Sequence, residues 1–327
     1  MRLRWKVLAV AALLAMPALS HAVACTSQAE MAPQDRSALA DAGLRLLQAV
    51  MTQDLTTLQA ALLPAEASSW SGITSAVDDS QPLLTGGHIQ IRDVYLLDAT
   101  GLTGPSDTQF FCSNASGSLT ITITMHELPP GKYAVVIADA AGAPLGGQLG
   151  LVLAWDNTSS GGWKLAGLSV HQGVFDGHDG VWYWTRARTV ANEDPWSAWY
   201  CYAFARYMLL PVDILSSPNL QKLETEQEQL KNSPQDAFPY SIPDGPRTWK
   251  IDSIGLNTSL HQPDLGVTYE STGVTTPAAL HTEAVAVLSA LLKAHPGMRE
   301  NFHGLWAIAM RDGKPTPVIE LPMAQIP

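Results

Sequence analysis

The chain predicts an α+β fold, with helices and antiparallel strands segregated along it. Three observations carry that expectation. Apolar residues recur at three- and four-residue spacing through residues 33–78, the period of a helix buried on one face. The period then falls to two: Ser118 to Met125 alternates strictly, with Leu119, Ile121, Ile123 and Met125 on one face and threonines on the other. A final stretch from residue 247 reads strand, strand, helix, strand, strand.

Residues 1–24 read as an export signal. Arg2, Arg4 and Lys6 give a basic start, Val7 to Leu19 is apolar, and small residues precede Cys25, so cleavage is expected after Ala22 or Ala24. An apolar helix of this length spans about 20 Å, short of the ~30 Å hydrocarbon core of a bilayer. The expected location is therefore outside the cytoplasm, periplasmic or associated with the outer envelope.

Leu39, Ala42, Gly43, Leu46, Leu47 and Val50 form the stripe of a first helix. A short second helix runs from the N-cap candidate Asp54 to Pro64, and Glu66 to Val77 makes a third, with Trp70 and Ile73 inward. Ile89 to Leu97 reads as a strand, Thr108 to Cys112 is strand-like, and Ser118 to Met125 is the alternating strand. Pro129-Pro-Gly131 turns the chain into Tyr133 to Ala138. Leu149 to Trp155 and Trp163 to Val170 follow across another turn, so these last three strands form a meander.

Helices followed by a curved antiparallel sheet ending in Gly-Trp-Lys-Leu-Ala-Gly167 resemble the NTF2-like (SnoaL-like) cone over residues 33–172. The resemblance implies a sheet wrapped around helices, with a pocket that hosts unrelated activities in different members. The expected domains are residues 25–175 for this α+β unit, 176–232 for a helical hairpin and a polar helix, 233–246 for a proline-rich linker, and 247–327 for a small α+β domain. In the hairpin, Trp182 to Asn192 precedes a helix opened by Pro195 and stopped by Pro211, and Asn219 to Lys231 is the polar helix. In the last domain, Pro277 to Ala294 is the helix and Gly304 to Met310 with Pro317 to Met323 a hairpin. Phe-Phe-Cys112, Gly-His-Asp-Gly-Val-Trp-Tyr-Trp184 and the His295 to Trp306 run are together similar to a set of functionally uncharacterised exported bacterial proteins, which implies no activity.

With 46% hydrophobic and 15% charged residues the chain can build cores. Its net charge of −11, with no basic cluster outside the leader, speaks against nucleic acid and anionic lipid as partners. The three cysteines leave one over. Cys25 pairs with Cys112 in one reading, with Cys201 a buried free thiol; Cys25 is lipidated in a second, the only membrane attachment expected; Cys112 pairs with Cys201 in a third.

Gly-x-Ser-x-Gly, Cys-x-x-Cys, His-Glu-x-x-His and the phosphate-binding Gly-x-x-x-x-Gly-Lys pattern are all missing from the sequence. The catalytic candidates are His126, beside Glu127 and joined from other strands by His88, Asp93 and Asp139, and the pair His178 and Asp179. Asp179 also suits a helix cap. His295 and His303, flanking the end of the last helix, read as dipole and packing partners. Trp182, Trp184, Trp196 and Trp199 are the binding candidates, because so many aromatic rings exceed one buried helix face. No cofactor and no metal are expected. The residues favour a non-enzymatic module that binds an envelope protein or a small apolar ligand. The alternatives are an NTF2-like pocket enzyme using histidine-assisted proton transfer, and a structural spacer.

Overall fold

Alternation along the strands decides the layering of the amino-terminal half. A computed structural model of the protein describes residues 23–327 apart from Ala115, Ser159, Ser160, Asp312 and Pro317; the expected leader, residues 1–22, lies outside the described residues. Strand β1 (Ala24–Ser27) precedes helices α1 (Pro33–Met51), α2 (Leu55–Ala61) and α3 (Trp70–Leu84). Strands β2 (His88–Asp98), β3 (Ser106–Ser113), β4 (Thr120–Leu128), β5 (Lys132–Ala141), β6 (Gly147–Asp156) and β7 (Gly162–Gln172) follow. They form two antiparallel sheets, ordered β1-β2-β5-β6-β7 and, with the later strand β10 (Leu215–Ser216), β10-β4-β3.

The five-stranded sheet is the middle layer. On β5, Ala134, Val136 and Ala138 face the helices, while Val135 and Ile137 face the second sheet, and all five are buried. A strand covered on both faces must be apolar at successive positions, which is why Tyr133 to Ala138 reads as a continuous run. Gly43 lets α1 approach closely: a Cβ there would lie 3.0 Å from Val136 Cγ1. Cys25 on β1 is bonded to Cys112 on β3, tying the two sheets across 87 residues of chain. A thioether-linked lipid needs the same Cys25 sulfur, so the disulfide replaces the lipidation reading, and Cys201 is a buried free thiol.

The expected third helix starts as a six-residue 3-10 segment (Pro64–Ser69), and α3 then runs on to Leu84 through Pro82. Pro82 lies in its last turn, where one lost hydrogen bond is offset by burying Leu83 and Leu84.

The short strands β8 (Val174–Phe175) and β9 (His178–Asp179) lead into α4 (Gly180–Val190) and α5 (Pro195–Leu209). Then come β10 (Leu215–Ser216), α6 (Pro218–Glu228), β11 (Tyr240–Asp244), β12 (Arg247–Asn257) and β13 (Asp264–Glu270). Helices α7 (Pro277–Ala294) and α8 (Met298–Asn301) precede β14 (Gly304–Arg311), β15 (Lys314–Pro315) and β16 (Ile319–Pro322). The last sheet is ordered β11-β12-β13-β14-β15 with β16 also on β14; β13 and β14 are parallel, joined by the α7 crossover.

The stretch expected as a linker, residues 233–246, holds β11, which pairs with β12 at the sheet edge. An edge strand tolerates Pro243, whose missing N–H would break an interior ladder. The segment 176–232 has no core of its own. Tyr183, Tyr200, Phe204 and Met208 share one core with Trp249, Leu288 and Phe302 of the last unit, while β10 pairs with β4 of the first.

Candidate functional site

The β6–β7 hairpin extends past the helices that cover its sheet. Leu149, Leu151 and Leu153 on β6 face those helices, and period two places Trp155 next in the same row. On β7 the register slips opposite Val152 and Leu153, so Trp163 and Leu165 lie on the helix side before the bulge and Leu168 and Val170 after it. Trp155 and Trp163 are cross-strand partners whose rings meet edge to face, with centroids 5.3 Å apart.

Around this pair is a groove of about 420 Å³, lined by Ala38 and Leu39 of α1, Leu96 of β2 and both tryptophans. Asp35, Thr100, Lys132 and Asn157 are exposed at its rim. The volume lies in the range of small-molecule pockets, and the arrangement is the usual one: apolar walls with few polar groups that orient a ligand. Trp155 remains 41% exposed, so part of its ring has no protein partner.

A second cleft, about 510 Å³, lies between the α4–α5 hairpin and the end of α7. Asp194 caps α5, its Oδ1 accepting the Ser197 N–H at 3.1 Å, while its buried Oδ2 has no hydrogen-bond partner. That oxygen lies against Gly297, where a Cβ would come within 2.1 Å of it. His295 stacks on Trp196 with centroids 3.9 Å apart, and its Nε2 is 3.3 Å from the Tyr240 hydroxyl. Burial lowers the His295 pKa, against the raising influence of Asp194. Arg186 donates to Asn301 at 2.6 Å. This imidazole is held by ring stacking, and the buried Asp194 oxygen beside it is left without a donor.

The sequence candidates fall at different places. His126 lies on β4, in the sheet away from the helices; its side chain is 76% exposed and its Nδ1 is 3.3 Å from Asp107. Asp139, expected to join it, instead pairs with Arg92 at 3.0 Å. Asp179 caps α4 by accepting the Trp182 N–H at 2.8 Å, and His178 stacks flat on the Trp182 ring. Trp184 donates Nε1–H to Glu226 at 2.7 Å, with the Arg188 guanidinium over its ring. Arg188 above all, with Trp184 and Tyr202, holds the Glu226 carboxyl below its ordinary pKa. Trp199 packs on the shared core, and Trp196 alone of these four lines a described cleft. Sequence reasoning missed Trp155, Trp163 and Asp194; two tryptophans bracketing a polar hairpin turn were the available signal. A further group, Asp264, His303 and Glu320, brings one ligand atom from each side chain within 4.8 Å of the others.

Compared with family models, curated proteins and solved structures, the chain matches none.

Proposed function

We propose that the protein is an exported, non-enzymatic binding module of the cell envelope that seats a small apolar, ring-bearing molecule in the Trp155–Trp163 groove. The observation that carries this reading is the cross-strand tryptophan pair left partly uncovered above Leu39 and Leu96. Apolar side chains fill the space between helices and sheet, so a ligand is taken at the open end of the layer. In an NTF2-like cone that end is the mouth. The basic, apolar leader and the Cys25–Cys112 bond support an oxidising compartment. Cleavage after Ala22 keeps β1 whole, whereas cleavage after Ala24 removes its first residue, the partner of Asp98.

The test uses anilinonaphthalene sulfonate, a flat apolar probe whose anionic end can meet Lys132. Saturable binding with quenching of tryptophan emission is expected. A W155A/W163A double variant should weaken it at least about tenfold, the size of losing 1.4 kcal/mol or more of contact. Trp182→Ala on the hairpin should leave it unchanged. Retained affinity in the double variant would sink the groove as the seat. Intact mass of exported protein should show one reducible disulfide and no lipid.

A further inference from the structure

We propose that Asp264, His303 and Glu320 bind one divalent transition-metal cation of the zinc or manganese class. The three lie far apart in sequence, and the sheet brings them together. Parallel pairing of β13 with β14 sets Leu265 opposite Leu305, which places Asp264 beside Gly304 and the preceding His303. Antiparallel pairing of β14 with β16 sets Trp306 opposite Glu320.

The geometry suits coordination. His303 Nδ1 lies 3.0 Å from Asp264 Oδ1. Two metal bonds of about 2.1 Å span about 3.0 Å at the right angle of an octahedral ion and about 3.4 Å at the tetrahedral angle of zinc, so the pair has to open by only about 0.4 Å for zinc. Asp264 is fully buried, and its other oxygen, Oδ2, accepts the Trp306 indole N–H at 3.0 Å. A partner on the second oxygen fixes a ligand's orientation in metal sites and leaves the first oxygen to bind. Glu320 Oε1 is buried with no hydrogen-bond partner, a costly state for a carboxylate oxygen that a cation would offset. His303 is the ion-pair partner of Asp264 in this group, and no Lys or Arg forms an ion pair with either carboxylate among the described residues.

Gly304 keeps the space open. A Cβ there would lie 3.1 Å from Asp264 Oδ1 and 3.2 Å from Glu320 Oε1, so both oxygens converge above one side-chain-free position. The His303 side chain is 41% exposed, which gives the ion an entry path and room for water ligands. One imidazole nitrogen with two carboxylate oxygens favours zinc or manganese over calcium, which collects six to eight oxygens.

The experiment is calorimetric titration of chelator-treated protein with zinc chloride, repeated with manganese and calcium chlorides, with melting temperature read alongside. One equivalent of zinc should bind and raise the melting temperature, and excess calcium should not displace it. His303→Gln and Glu320→Gln should each weaken zinc at least about tenfold, and Trp306→Phe about tenfold through the released Asp264 carboxylate. Metal-free Glu320→Gln should melt no lower than wild type, because it removes an unpartnered carboxylate; that variant keeps the test independent of folding. Wild-type protein without saturable zinc binding would overturn the proposal, as would His303→Gln and Glu320→Gln variants that bind like wild type.

Discussion

Two aromatic regions of this protein have opposite fates. The α4–α5 hairpin carries most of the tryptophan and tyrosine that attract notice in the sequence, and the fold consumes nearly all of them; Trp182 stays 38% exposed, with His178 stacked on one face of its ring. Tyr183, Tyr200 and Tyr202 are buried, Trp196 is stacked under His295, and Trp184 is bonded to Glu226. The β6–β7 hairpin carries only Trp155 and Trp163, and they stay open because α1 covers the sheet only as far as Leu39 and Ala38. Aromatic density marks where two units meet; a binding surface needs rings that no neighbouring element covers.

The largest expected effect comes from the consumed region. Phe204→Ala, at a fully buried ring packed on Phe175 and Phe302, should cost about 3–5 kcal/mol in urea unfolding. Trp155→Ala should cost less than about 1 kcal/mol while weakening the apolar probe. Equal costs at the two positions would erase the contrast.

Next in size is Cys25→Ser, which frees an 87-residue loop and should cost about 2–4 kcal/mol. Because the bond joins the two sheets of the first unit, the loss should appear there first, as faster amide exchange in β2 and β3. Uniform acceleration across α7 and β14 would show instead that the units unfold together.

Acid should act on the boundary between the units. Burial lowers the pKa of both His171 and His295, with Asp213 and Asp194 respectively opposing it. A histidine depressed in the folded state binds its proton more readily when unfolded. Its contribution is therefore present above the ordinary value near 6.5 and lost as pH falls from there towards the folded pKa. Urea midpoints should drop between pH 7.5 and 5.5, and His295→Gln should flatten part of that slope. An unchanged slope in both His295→Gln and His171→Gln would contradict the assignment.

A smaller effect than the disulfide's is expected at Trp184→Phe, which loses the indole bond to Glu226 and should cost about 1 kcal/mol. Arg188 keeps the carboxylate paired at 2.8 Å, so a much larger loss would mean that Trp184 does more than seal the hairpin edge.

Much of the fold was legible because its signals are local. The α1 stripe, the β4 alternation, the β5–β7 meander and the α7 helix each show their period within one segment, and Asp179 and Pro195 take the cap and first-turn positions that their chemistry favours. The strand β11 was hidden by Pro239, Pro243 and Pro246, because only its place at a sheet edge makes proline acceptable. The candidate sites were less legible. Facing positions such as Trp155 and Trp163 depend on register, and the β7 bulge shifts that register by one residue. Asp264, His303 and Glu320 meet only through the crossover topology, which no spacing along the chain encodes.

Cys201 has a consequence for how the chain reaches its native pairing. Three thiols allow three pairings while the chain is open, and only one joins Cys25 to Cys112. Cys201 is fully buried within α5, and burial pushes its pKa up to about 12, so it remains a neutral thiol behind the aromatic core. Exchange requires a thiolate with access to a sulfur. Once the hairpin docks, the remaining cysteine can no longer attack the Cys25–Cys112 bond. The packing of α5 thus acts as a latch on a covalent bond that α5 does not contain, because it withdraws the third sulfur from exchange.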